Sequence, residues 1–119
     1  GSICWFKYGN SDSRKFTSGS KRLIKVVGLN LIEALHCPHY DTEVHRQDDF
    51  KRMMKTTSKI VAIAIENCCA IEIIDDKFRI LKSKPNAKAY KIYWKNGEYH
   101  KEEIEYEKKF NNLDILLKK

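Results

Sequence analysis

Two imidazoles, a thiol and a carboxylate crowd into Leu35-His36-Cys37-Pro38-His39-Tyr40-Asp41, where an apolar run through Leu29, Leu31, Ile32, Ala34 and Leu35 ends. Pro38 stops a helix from continuing through that run. The simplest geometry is a buried strand that delivers His39 to a loop, at the C-terminal edge where open α/β sheets place their chemistry. A histidine there is a candidate general base, which needs a nucleophile and an orienting carboxylate. Two carboxylates stand at suitable places. Asp12 lies in a polar stretch near the N-terminus, and Glu66 follows the most apolar run of the chain. Either residue type is equally common as a solvated or capping group. The nucleophile is not evident: none of Ser2, Ser11, Ser13, Ser18 and Ser20 sits in a G-x-S-x-G elbow between strand and helix.

Other chemistries fit less well. His36, Cys37, His39 and His45 invite a metal, yet no second Cys/His pair stands at zinc spacing. Cys68 and Cys69, as neighbours on a strand, point to opposite faces and cannot easily supply two ligands. The reading is therefore no metal and no cofactor. Cys37 as a nucleophile beside His39 is a lesser alternative, because positions i and i+2 across a proline give no clear contact.

The elements that position these groups follow from periodicity. Ile3, Cys4, Phe6 and Lys7 fit the buried face of a short helix that Gly9 terminates. Asn10 to Ser20 is polar and reads as a loop or lid. Leu23 to Val27 is a short β-branched run, followed by the strand that leads to His39. Phe50, Met53 and Met54 recur at i, i+3 and i+4, with Asp48 and Asp49 before them and Lys51, Arg52 and Lys55 outward. That pattern predicts an amphipathic helix of about three turns. Ile60 to Ile65 is continuous and rich in β-branched residues, as a central strand buried on both faces requires. Ala70–Ile74 and Phe78–Leu81 read as strands joined through Asp75-Asp76-Lys77. Ala89–Lys95 alternates, and Asn96-Gly97 after it is a two-residue hairpin signal. That hairpin sets Lys95 opposite Glu98, Trp94 opposite Tyr99 and Lys91 opposite Glu102, all favourable pairs. A short apolar segment with Leu113, Ile115, Leu116 and Leu117 ends the chain.

The 119 residues suit one domain with one core. No apolar run reaches membrane-spanning length, so no membrane partner is expected. Four cysteines without framework spacing read as reduced thiols and favour the cytoplasm. Residues 1–76 carry 11 Lys/Arg against 10 Asp/Glu, and residues 77–119 carry 12 against 6, so the net charge of +7 is concentrated in the last third. Those bases are nearly all lysine and interspersed with glutamate, which describes a solvated face rather than a nucleic-acid surface. A non-catalytic basic module for binding nucleic acid or protein is the alternative reading.

Four segments taken together carry a resemblance: Gly1-Ser2-Ile3-Cys4-Trp5-Phe6, Gly9-Asn10-Ser11-Asp12-Ser13, Leu35-His36-Cys37-Pro38-His39-Tyr40-Asp41 and Glu66-Asn67-Cys68-Cys69-Ala70. In order and content they resemble the C-terminal half of the peptidase E family, up to about residue 104. The resemblance implies a serine peptidase of the alpha-aspartyl dipeptidase type. It also implies an α/β fold related to the flavodoxin-like, class I glutamine-amidotransferase sheet, mainly parallel, with β-hairpins at the C-terminus. Gly1 matches the last glycine of the family's Gly-x-Ser-Ala-Gly, so the nucleophile would stand two positions before Gly1 and Ser2 is not that serine. His39 matches the catalytic histidine, and Asp12 and Glu66 match the two positions given to the triad's acid, with Asp12 preferred. Arg46 is the closest match to the arginine that receives an N-terminal aspartate, a task for which a bidentate guanidinium is suited.

Three expectations follow. Residues 1–119 form the C-terminal portion of a single domain, inactive alone and inclined to form a homodimer or associate with the absent half. The carboxylate of Asp12 or Glu66 lies within hydrogen-bond reach of His39, in a pocket that also holds the start of the first helix, while His36 is structural. One flank of the Ile60–Ile65 strand lacks a neighbour and exposes an apolar strip.

Overall fold

The computed structural model describes residues 1–19, 23–42 and 45–119, with the backbone alone at positions 15 and 16. Ser20, the expected end of the polar loop, lies outside the described residues. A 3-10 turn at Ser2–Trp5 leads into β1 (Phe6–Ser11), and a short α1 (Ser13–Thr17) precedes β2 (Ile24–Val27) and β3 (Ile32–Cys37). Then come α2 (Arg46–Lys55), β4 (Ala62–Ile65), β5 (Cys69–Ile74), β6 (Lys77–Lys82), β7 (Ala89–Lys95) and β8 (Glu98–Glu103). A two-residue β9 (Asn111–Asn112) and α3 (Asp114–Leu117) follow.

Six strands form one sheet in the order β2-β1-β3-β4-β7-β8, and β5-β6-β9 form a second. β1 and β4 run parallel to β3, whereas β2 on β1, β7 on β4 and β8 on β7 are antiparallel. The sheet is therefore mixed, and the expectation of a mainly parallel sheet is corrected. Its parallel part is confined to β1-β3-β4, the part that carries the histidine loop.

β4 shows why a short apolar run becomes a central strand. All four of its residues are buried. Ala62 and Ala64 lie under α2 against Phe50 and Met54, while Ile63 and Ile65 face Phe78 and Ile80 of the second sheet. Small residues leave room for the helix and large ones fill the space between sheets. β4 has β3 on one side and β7 on the other. The expected unpaired flank is thus absent. Exposed apolar side chains occur elsewhere, among them Trp5, Val27, Leu29 and Leu31 near the β2 edge.

The largest local correction concerns residues 3–9. Only Ser2–Trp5 are helical, as a 3-10 turn, and the chain then becomes a strand. Gly9 does not end a helix. It lies inside β1, where an added Cβ would come within 1.9 Å of Ile3 Cγ2, so glycine there lets the first turn fold back on the strand. The apolar period that suggests a helix face is met instead by two strand neighbours, β2 and β3, which complete the hydrogen bonds of β1. Likewise Asn10 and Ser11, expected in a loop, are the end of β1.

The same expected loop also holds the short helix α1 at Ser13–Thr17, while α2 and the β7–β8 hairpin form as expected. α2 places Asp48 and Asp49 in its first turn and Arg52 and Lys55 in its last, and buries Phe50 and Met54. The β7–β8 hairpin turns at Asn96 and Gly97, both at positive φ, and pairs Lys95 with Glu98, Trp94 with Tyr99 and Lys91 with Glu102. Among the described residues, no helix is long and apolar enough to cross a membrane.

Candidate functional site

β3 sorts its side chains by parity. Leu35 and Cys37 face α2, and Ile32, Ala34 and His36 face the other way. The Cys37 thiol is buried and pushed up to about 12 by desolvation, so it is an inert packing group rather than a nucleophile. Its Sγ lies 3.9 Å from the Pro38 carbonyl.

His36 is buried and structural. Its Nδ1 donates to the Ile63 carbonyl at 3.0 Å, its Nε2 lies 3.2 Å from the Ser2 hydroxyl, and its ring stacks on Phe6 at 4.5 Å. Burial holds its pKa down to about 4 from the ordinary 6.5, against the opposing effect of the Ile63 bond. Because the unfolded chain takes up a proton near pH 6.5 and the folded one only near 4, stability rises with pH across that window. Lowering the pH from 6.5 to 4 is expected to remove about 3 kcal/mol, and the loss should level off below 4. Urea melts of His36→Phe against the parent chain across that range check this. The variant should lose the steep part of the dependence.

His39 lies beyond the strand, exposed and in the left-handed region at φ 51°. The backbone around it is fixed at several points. Tyr40 N–H donates to the Ile65 carbonyl (3.0 Å) and Thr42 N–H to the His39 carbonyl (3.1 Å). The side-chain partner of His39 is Asn67, whose Oδ1 is 2.6 Å from Nδ1. Asn67 in turn donates its backbone N–H to Asp41 Oδ1 (2.8 Å) and its Nδ2 to Thr42 Oγ1 (3.0 Å).

Neither expected carboxylate is bonded to His39. Asp12 Oδ2 instead accepts from the Arg46 guanidinium at 3.4 Å, and Glu66 Oε1 accepts the Lys88 backbone N–H at 2.9 Å. Arg46, the first residue of α2, is only 2 % exposed and also donates to Asn10 Oδ1 (3.4 Å) and to the Pro38 carbonyl (3.3 Å). Its Nε has no partner among the described residues. The guanidinium is thus an internal tie between the end of β1, α2 and the histidine loop.

A cleft of about 730 Å³ opens between the two sheets, lined by Ser2, Trp5, His36, His39, Glu66 and Asn67 among others. Its far wall is apolar, with Ile71, Ile73 and Leu113. It brings His39, Glu66 and the first turn together, and leaves Asp12 and Arg46 outside its lining. Among the described residues, no group of three or more His, Cys, Asp or Glu is placed to hold a metal. An exposed histidine whose Nδ1 is engaged presents Nε2 for proton transfer, which is what a general base for acyl transfer requires.

Asn67 is the site residue that reading the sequence does not single out. The available signal was its place directly after the most buried strand, which drew attention to its neighbour Glu66. No curated protein matches the chain. The family model described as Peptidase family S51 matches residues 1–81, from the 3-10 turn into β6, and so covers the histidine loop, Asp12, Arg46, Glu66 and Asn67. With more than half of its 119 residues matched, and with the histidine loop inside that span, the chain belongs to the S51, or peptidase E, family.

Proposed function

We propose that this chain is the histidine-bearing portion of a serine peptidase that removes aspartate from the N-terminus of short peptides, with residues 1–119 completing a flavodoxin-like domain begun upstream. The observation that carries the reading is the cleft in which the first turn and His39 meet, with Nδ1 of His39 engaged by Asn67. A serine two positions before Gly1 would enter that cleft beside Ser2. It attacks the peptide carbonyl, and His39 Nε2 takes its proton and passes it to the departing amine. The ester so formed is hydrolysed by water in the second half of the cycle. No metal or cofactor enters.

Glu66, with one oxygen on Lys88, lines the cleft and offers a carboxylate suited to a substrate ammonium group. Aspartate recognition by Arg46 requires the substrate carboxylate to take over the place of Asp12, whose side chain is 39 % exposed. Asp12 then acts through Arg46 and not on the imidazole.

The test is hydrolysis of Asp-Leu against Lys-Leu, followed as release of the free N-terminal amino acid. The chain extended by its upstream coding sequence should cleave Asp-Leu, and residues 1–119 alone should not. An extended protein that cleaves neither dipeptide, yet binds RNA or DNA in a salt-dependent way, would favour the basic binding module.

A further inference from the structure

Resting on the reading of His39 as the base, we propose that Asn67 is its positioning residue, and that a neutral amide rather than a carboxylate sets which imidazole nitrogen carries the proton. Three atoms of Asn67 engage three residues of one loop: N–H to Asp41, Nδ2 to Thr42 and Oδ1 to His39. In the arrangement present, Nδ2 donates to the Thr42 hydroxyl at 3.0 Å and Oδ1 is the amide atom that faces the ring. An amide oxygen at 2.6 Å accepts, so Nδ1 must hold the hydrogen and Nε2 the lone pair.

Asp41 Oδ1 accepts from the Asn67 backbone and Glu66 Oε1 from that of Lys88, and neither acid is bonded to the ring. The loop cannot easily swing away. It is held on the strand side by Tyr40 N–H on Ile65 and on the helix side by Arg46 on the Pro38 carbonyl. An orienting amide keeps the imidazole in the tautomer that accepts a proton at Nε2 without placing a charge beside it.

The tautomer is directly measurable in the 119-residue chain, with no need of turnover. In uniformly ¹⁵N-labelled protein, long-range ¹H–¹⁵N correlation of neutral His39 should show a protonated Nδ1 and a pyridine-like Nε2. Asn67→Ala should shift the tautomer ratio toward Nε2–H by about tenfold, the size of one hydrogen bond. Asn67→Asp keeps the acceptor and should retain Nδ1–H. Thr42→Val, which removes the acceptor that fixes the amide, should move the ratio in the same direction as Asn67→Ala but less. His36, bonded to Ile63 and not to Asn67, serves as the internal reference and should not change. A parent spectrum with Nε2–H on His39 would overturn the assignment, and needs no variant to fold. So would an Asn67→Ala variant with the parent's tautomer. Failure of the extended protein to cleave peptides would leave the tautomer result standing, whereas an Nε2–H ring would remove Asn67's role without touching the peptidase reading.

Discussion

Replacing His39 by alanine, in the protein extended to include the serine proposed upstream of Gly1, is expected to lower kcat/KM by about 10⁴-fold. The fold should survive. His39 is exposed, and among the described residues its side chain makes one bond, to Asn67, so the stability cost should be about 1 kcal/mol or less. His36→Ala should behave in the opposite way. That ring is buried, stacked on Phe6 and bonded to Ile63 and Ser2, and its removal leaves a cavity and loses both hydrogen bonds. A loss of about 2–3 kcal/mol follows from those two causes, with turnover per folded molecule within a few-fold of the parent. The comparison of kcat/KM with urea midpoints for both variants separates the roles. Equal activity in the two would take His39 out of the mechanism.

The second large effect is expected at Arg46. Its guanidinium is enclosed by Asn10, Asp12 and the Pro38 carbonyl, and it joins β1 and α2 to the loop that carries His39. Arg46→Ala removes a large buried side chain and strands the buried Asn10 acceptor and the half-buried Pro38 carbonyl at once, for a loss of about 3 kcal/mol. For a chain of this size that lowers Tm by on the order of 10 °C. Arg46→Lys should recover part of it, since an ammonium reaches one or two of the acceptors but not all three in one plane. The Pro38 contact adds a local signature, faster amide exchange at Tyr40, whose N–H bonds Ile65 next to the released loop. Thermal melts and hydrogen exchange decide the matter. An Arg46→Ala variant within about 1 kcal/mol of the parent would mean that the cluster is not structural. The guanidinium would then be free for a ligand.

Periodicity and turn chemistry by themselves determined several elements of this protein. The β7–β8 hairpin was legible to the residue, because alternation fixes which face is buried and Asn96-Gly97 fixes the turn, so the register follows. α2 was legible because Phe50, Met53 and Met54 repeat at helical spacing between acids and bases, and β4 because an unbroken β-branched run suits only a strand covered on both faces. The histidine loop was legible too, from the proline that ends the run before it.

Tertiary structure alone decided the rest, and the reason is the same in each case: the deciding partner lies far along the chain. Phe6 to Ser11 carries a spacing that serves either a helix face or a strand, and β2 and β3 on its two sides make it a strand. β4 gains an antiparallel neighbour from residues 89–92, beyond the span matched by the family, and so the sheet is mixed and its flank closed. At the site, Glu66 and Asn67 leave β4 as consecutive residues and so turn to different sides. Glu66 N–H donates to the Lys88 carbonyl and its carboxylate takes the Lys88 N–H, which ties it to the approach to β7. Asn67, one residue on, is left facing the loop 26 residues earlier that holds Asp41 and His39. No local pattern distinguishes those two neighbours. Only the pairing of β4 with β7 on one edge and β3 on the other assigns the carboxylate to the backbone and the amide to the imidazole.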